Sequence, residues 1–351
     1  MVAEAAVHPN SRAPLSGDPL LRREWLAVAW SHEIEPGRLL ARRTLATDLV
    51  LWRSSEGLHC WRDLCIHRGA KLSLGTIRPG ATGENPARRD CLVCPYHAWE
   101  YAPTGECVRI PSQPDLTPPA KARAETCEVR ERYGVVWICF GPPASELPEF
   151  PIAEDAAFRT VLAGPYRFTA RGPRVVENLL DVAHLGFVHA GLLGDPARGE
   201  VEDYVVTAAG DAAGRRGPEA KEIRIWQPDP DGTGKAALVN YHYWVDGPLT
   251  AGLIKTHGDH RFGILAQVAP VDEDTCESRL IMSLNYGHEI PSEELIRFQD
   301  RVSEQDRVVV ESQRPELLPL DLQTELHLRS DRMAIAYRKW LSALGFTYGV
   351  A

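Results

Sequence analysis

Two short segments, Cys65-Ile66-His67 and Cys94-Pro95-Tyr96-His97, form a C-x-H…C-x2-H pair, and nothing else in this chain restricts its folding as much. Two thiolates and two imidazoles arrive on two short loops, and both loops must meet at one metal centre. The four groups divide naturally between two irons, both Cys on one and both His on the other. Neutral His in place of anionic Cys leaves a [2Fe-2S] cluster less negative and raises its reduction potential, to roughly −150 to +300 mV. Such a centre passes single electrons. A rival arrangement is a four-Cys zinc site built from Cys60, Cys65, Cys91 and Cys94, with Cys91-x2-Cys94 as one knuckle. It leaves His67 and His97 without a role. Cys107, Cys127, Cys139 and Cys276 read as small buried hydrophobes.

The sequence around the pair is strand-like. From Trp25 to Phe140, runs such as Leu49-Val50-Leu51-Trp52 and Val135-Val136-Trp137-Ile138 alternate with turn residues, among them Ser55-Glu56-Gly57 and Thr104-Gly105-Glu106. Polar Thr76 to Asp90, with two Pro and two Gly, reads as a long surface loop. We divide the chain into a mobile N-terminus (1–20), an all-β domain (21–141), a Pro-rich linker (142–155) and a second domain (156–351). The second domain has a helical segment near 174–185, strand candidates between 201 and 287, and helices near 292–313 and 330–344. Strands framed by helices make the whole an α+β chain.

A second set of metal-binding residue types lies in that domain. Asn178, Asp181 and His184 recur every three residues and share a face of the predicted helix, so Asp181 can orient His184 through its second ring nitrogen. His184 and His189 are five apart, about 140° around a straight helix, so the chain must bend between them, and Gly186 offers the place. Two His ligands call for a carboxylate to complete the facial triad of a non-heme Fe(II) site. On the wheel of the later helix, Leu295, Phe298, Val302, Val309 and Val310 form an apolar stripe that contains Asp306. Asp300, Glu304 and Glu311 fall on the solvated face. An inward carboxylate is costly unless paired or metal-bound. Asp306 is therefore the third ligand, the alternative being a buried pair with an Arg.

Over 351 residues the formal charge is −9, with no basic cluster to offset it, which disfavours nucleic acid and anionic lipid. The apolar runs are far short of the roughly 20 residues that span a bilayer, and residues 1–10 do not read as a signal peptide. A cytoplasmic location is expected, where eight cysteines are thiols or metal ligands rather than disulfides.

With both constellations in view, the chain resembles the α-subunits of Rieske non-heme iron oxygenases along nearly its whole length. The resemblance rests on Cys65-Ile66-His67-Arg68-Gly69, Cys94-Pro95-Tyr96-His97-Ala98-Trp99, Asn178-x2-Asp181-x2-His184-x4-His189, Gln305-Asp306 and Ser330-Asp331-Arg332…Trp340-Leu341. The tail Leu344 to Val350 looks most like the saxitoxin-pathway hydroxylases and their bacterial relatives, with dicamba monooxygenase and vanillate demethylase further off. Ala98 departs from a frequent Gly, and the 26 residues between His67 and Cys94 are more than the family usually has.

The family likeness implies a Rieske domain followed by a helix-grip catalytic domain, assembled as a homotrimer in which Asp181 links His184 to a cluster imidazole of the next subunit. It places Asn178 near the iron. It further implies O2-dependent hydroxylation of a small polar or N-containing molecule, with O- or N-demethylation as the alternative. Electrons would come from a separate NAD(P)H-dependent reductase or ferredoxin, since no G-x-G-x-x-G fingerprint is present. A reading from another class is a Rieske electron carrier without oxygenase activity. For the pocket we expect Tyr241, Tyr243, Trp244, Met282 and Asn285, with His242, His257, His260 and His288 as further candidates.

Overall fold

A computed structural model describes residues 18–80, 89–208, 210 and 216–351. Strands β1 (Leu26–Trp30), β2 (Leu39–Thr44), β3 (Thr47–Ser54) and β4 (Gly57–Arg62) come first. The shorter β5 (Thr76–Arg78), β6 (Cys91–Val93), β7 (Glu100–Tyr101) and β8 (Cys107–Arg109) follow, then β9 (Thr126–Arg132) and β10 (Val135–Cys139). They make two antiparallel sheets, one ordered β1-β10-β9-β4-β3-β2 and a small meander β5-β6-β7-β8. The expected loop from Thr76 to Asp90 starts too early, because Thr76–Arg78 is a strand paired with Cys91–Val93. Ile77 sits opposite Leu92 there, and Arg78 is drawn in by the buried carboxylate of Glu100. Residues 81–88 of that stretch lie outside the described residues, as does the N-terminus through residue 17. Asp18 is already anchored, accepting from the backbone of Leu20 and Leu21 and from the Thr347 hydroxyl.

Beyond β11 (Arg159–Phe168) and helix α1 (Gly172–Leu180) come β12 (Val205–Thr207), β13 (Glu219–Gln227), β14 (Ala237–Val245), β15 (Thr250–His257), β16 (His260–Pro270) and β17 (Cys276–Leu284). Helices α2 (Ser292–Ser312) and α3 (Arg332–Leu344) close the chain. The seven strands form one antiparallel sheet ordered β11-β17-β16-β15-β14-β13-β12. Helix α1 packs on β15 and β16 and touches both other helices, while α2 lies along β11. This is the predicted α+β arrangement. Among the described residues no helix is long and apolar enough to cross a membrane.

The two halves are joined through polar groups as well as apolar ones. Strand β1 is buried along its whole length, and its pairing with β10 slips at Ala27/Ala29. A bulge of this kind leaves backbone groups without ladder partners. Here Gln267 accepts from the Ala27 N–H at 2.9 Å and Arg279 donates to the Ala27 carbonyl at 3.1 Å, both from strands of the second sheet. In the Pro-rich 142–155 stretch, Leu147 and Phe150 are buried in one cluster with Trp25, Trp137 and Ile281.

Candidate metal centres

The C-x-H…C-x2-H residues occupy two loops of the same shape. In the first, the Cys65 N–H bonds to the Ala70 carbonyl and the Gly69 N–H returns to the Cys65 carbonyl. In the second, Cys94 bonds to Trp99 and Ala98 returns to Cys94 in the same pattern. The matching positions Gly69 and Ala98 are both left-handed, at φ 69° and 55°. Glycine takes that conformation freely, whereas an Ala there is strained by roughly 1–2 kcal/mol.

Cys65 and Cys94 are buried beneath Trp61, Leu72 and Tyr101, while His67 is half-buried and His97 exposed. The imidazole rings lie 4.6 Å apart, and His67 stacks on Trp99 at 4.4 Å. Burial and the neighbouring Cys65 push the Cys94 thiol up, although the backbone N–H of Tyr96 counters them. The Tyr101 hydroxyl lies 3.1 Å from the Cys65 sulfur.

Two thiols inside and two imidazoles outside suit a two-iron cluster better than one ion, since the four donors do not converge on a single point. Among the described residues, the one group of three or more ligating side chains within 4.8 Å of one another is His184, His189 and Asp306. The buried Nδ1 of His67 has no hydrogen-bond partner, as a nitrogen kept for a metal would not. The four-Cys zinc alternative does not assemble. Cys60 faces Cys127 across β4 and β9, and the Cys91 sulfur takes a hydrogen bond from Arg78.

The second centre departs from the expected helix. Helix α1 stops at Leu180, and Asp181 is extended, so the predicted helical segment to 185 ends five residues early. The Asp181 carboxylate accepts from the Ala183 N–H at 2.8 Å and turns the chain into a 3-10 segment, Ala183–Gly186. The bend assigned to Gly186 therefore lies at Asp181, because a short acceptor there competes with the helix for backbone donors. Asp181 stays within ion-pair distance of His184, with 3.5 Å between Oδ2 and Nδ1, but makes no hydrogen bond to it.

His184 and His189 Nε2 atoms are 3.2 Å apart, and Asp306 Oδ1 stands 3.5 and 3.1 Å from them. Ligands at about 2.1 Å from an ion and at right angles to one another would be roughly 3 Å apart. The other nitrogen of His189 bonds to Gln305 Oε1 at 2.8 Å. That contact keeps the Nδ1 proton in place and points the Nε2 lone pair at the centre.

On α2, Val302 and Val310 are buried beside Asp306, but Val309 is exposed, so the stripe is narrower than expected. Asp300 and Glu311 are not merely solvated: they accept from the Tyr166 hydroxyl and the Thr169 N–H. Among the described residues Asp306 has no Arg partner, and its ion pairs are with the two His. Burial pushes the Asp306 carboxyl up, yet the two imidazoles hold it well below the usual carboxylate range. Burial likewise pushes His184 down, but Asp181 and Asp306 outweigh it and leave the imidazole at about 9. Asp306 Oδ1 is buried without a hydrogen bond. Three lone pairs facing one point, relieved otherwise only by protons, fit a divalent ion.

The triad opens onto a cavity of about 460 Å3 between the sheet and α2. Its floor is a set of cross-strand rows: Tyr243, Leu253, Ile264 and Met282, then Tyr241, Lys255, Phe262 and Leu284, while of the row Ala251, Ala266 and Leu280 only Leu280 lines it. Of the expected lining residues, Tyr241, Tyr243 and Met282 are present. Trp244 and His242 have the opposite parity on β14, so they face away. Trp244 packs on Phe150, and His242 pairs with Glu219 at 2.6 Å. Asn285 is occupied by the Arg261 backbone. His257 and His288 are also off the lining, and His260 stands behind it, stacked on Tyr286. Asn178 lines the cavity, whereas Asp181 faces a separate groove with His327 on the far side of His184. Lys255 was missed, although the inward parity of Leu253-x-Lys255 was readable, and Gln305 was named beside Asp306 without its role toward His189.

Comparison with known proteins agrees with both halves. Residues 24–121 match the Rieske [2Fe-2S] domain, and residues 168–345 match the vanillate O-demethylase oxygenase C-terminal domain. Methylxanthine N1-demethylase NdmA of Pseudomonas putida is 31% identical over 334 residues, 92% of this chain and 89% of that protein. Methylxanthine N3-demethylase NdmB of the same species is 29% identical over 93% and 90%. The structure of NdmA with caffeine superposes with a TM-score of 0.76 at 29% identity, covering 94% of this chain and 92% of that one. Dicamba monooxygenase bound to dicamba, at 24% identity and a TM-score of 0.73 over 92% and 97%, shares the fold. Two centres on one chain, one suited to passing electrons and one opening onto a cavity sized for a small molecule, together with likeness along nine-tenths of its length, make this protein a member of the Rieske non-heme iron oxygenases, enzymes that carry a [2Fe-2S] cluster and a mononuclear iron and monooxygenate small molecules.

Proposed function

We propose that this chain monooxygenates a C–H bond of a small, N-containing molecule, with His184, His189 and Asp306 holding Fe(II) and Cys65, Cys94, His67 and His97 holding the cluster. The observation that carries the reading is the convergence of two Nε2 atoms and one carboxylate oxygen on one wall of a cavity sized for a small molecule. When bound, the iron supplies O2 activation, and the cluster contributes an electron. The chain's own part is to orient: Gln305 steadies His189, Asp181 steadies His184, and Asn178 borders the space where substrate meets the metal. The balance is one C–H bond and O2 with two electrons and two protons, giving C–OH and water.

N-demethylation is the second reading. It is favoured by the likeness to two proteins named as methylxanthine N-demethylases, over about nine-tenths of their length. Hydroxylation of an N-methyl group gives a carbinolamine, which releases formaldehyde. The electrons would come from a separate NAD(P)H-dependent reductase or a ferredoxin.

A homotrimer is the proposed assembly. Two observations support it: Asp181 is 36% exposed in a groove that the exposed Leu326 also lines, and Ile66 and Tyr96 stand exposed on the cluster loops. Pairing these patches between subunits would cover both.

The test is a single turnover of chemically reduced protein under 18O2 with N-methylated and unmethylated heterocycles, followed by mass spectrometry. Label in an alcohol product, or release of formaldehyde, is expected, together with about three iron atoms per chain. Two iron atoms and no labelled product would leave only an electron carrier.

A further inference from the structure

The end of the cavity away from the triad carries its own polar equipment. Asp306 and the Ala251–Ala266–Leu280 row border a smaller adjoining pocket. Lys255 lies four residues further along β15 than Ala251, roughly 13 Å at the rise of a strand. Its Nζ donates to the Pro230 carbonyl and to Gln227 Oε1 at 3.3 Å, which accounts for two of three hydrogens. Gln227 is fully buried and rigidly held. Its amide donates to the Leu193 carbonyl at 3.1 Å and to the Tyr241 hydroxyl at 2.8 Å. One side chain thus fixes both Lys255 and Tyr241. The Tyr241 hydroxyl accepts from Gln227 and keeps its own hydrogen to give.

The charge around this end is already negative. Asp231 accepts from Thr233 and His260, and Asp229 accepts from the Gly234 N–H, so both carboxylates stay beside Lys255 within one loop. A third carboxylate, from a substrate, would meet two negative charges against one positive. A neutral carbonyl oxygen meets two donors and adds no charge. The walls favour a flat ring: Lys255 lies over Phe262 at 5.5 Å, and Tyr241 and Tyr243 stack at 5.5 Å.

We infer that Lys255 and Tyr241 form a carbonyl-binding pole, which selects planar, uncharged amide- or imide-containing substrates and holds them by the end opposite the reacting C–H bond. The inference deepens the monooxygenase reading and rests on it only for which end reacts.

Binding can be measured without turnover, by calorimetry on the purified protein. The probes are 1,3-dimethyluracil, its carbonyl-free counterpart 1-methylindole, and the anionic 1-methylpyrrole-2-carboxylate. Dimethyluracil is expected to bind at least about tenfold more tightly than either, the worth of one or two good hydrogen bonds. Lys255→Met should remove about that tenfold and leave indole binding unchanged, Lys255→Arg should restore part of it, and Tyr241→Phe should cost a smaller factor. Retained 1-methylindole binding and retained mononuclear iron serve as the check that the second half of each variant folds.

Burial lowers the Lys255 ammonium to about 8, although Asp231 and Asp229 oppose the shift. The ammonium is the better donor, so dimethyluracil affinity should fall as pH rises through about 8. Burial keeps the nearby Tyr241 and Tyr286 protonated there, and His260 is engaged with Asp231. Equal affinity for the three probes, tighter binding of the carboxylate, or a Lys255→Met loss shared by indole would each overturn the inference. Selective binding without any oxidised product would instead count against the monooxygenase reading alone.

Discussion

The two metal centres are built in opposite ways. The cluster site is made of two loops of six residues, each closed by its own backbone bonds, with one imidazole half-buried and the other exposed. The triad draws on a helix exit at 181–189 and on a helix more than a hundred residues later, and its ligands are nearly or fully buried. Shape in the first is local, whereas in the second it depends on how α1 and α2 pack. An electron-passing centre has to be approached, and a centre that activates O2 has to be enclosed, so the contrast follows from the chemistry.

If the centres are independent, damage to one must spare the other. His184→Ala is expected to abolish oxygenation and lower iron from about three to about two per chain, with cluster absorbance unchanged. Loss of the cluster bands in that variant would mean that the halves fold as one unit. Gln305→Leu removes the hydrogen bond to His189 while leaving all three ligands, and should weaken mononuclear iron roughly 10–100-fold, read by chelator competition. An unchanged affinity would show that packing alone orients His189. The smallest effect belongs to the local site. Ala98→Gly relieves a left-handed Ala and should stabilise the Cys94 loop by about 0.5–1 kcal/mol after the added chain entropy. It would appear as a slightly higher melting point followed at the cluster bands, and a lower one would show that the Ala98 methyl contributes packing worth more than the strain.

Much of this was legible beforehand. Cys65 and His67, and likewise Cys94 and His97, lie within single turns in sequence, so spacing places each pair together, while the meeting of the two loops depends on the sheet between them. Asp306 was found from the 3.6-residue period of α2, which holds because Val302 and Val310 are indeed buried on its side. The stripe overreached at Val309, since a wheel shows which residues share a face but not how wide the contact is. Helical periodicity also carried the α1 reading too far, past an Asp whose side chain takes the backbone N–H two residues on.

What the sequence by itself determined is local: which residues can ligate, the strand and helix periods, the turn points, and the division into a β-rich first half and a mixed second half. What only the tertiary structure decided is which distant groups meet. Ala27 with Gln267 and Arg279, Lys255 with Gln227, and His189 with Gln305 are each joined across sheets, strands or helices by contacts that leave no period in the chain. Periodicity records which face of an element is apolar, and a hydrogen bond between two buried polar groups is specified only when both faces have been brought together.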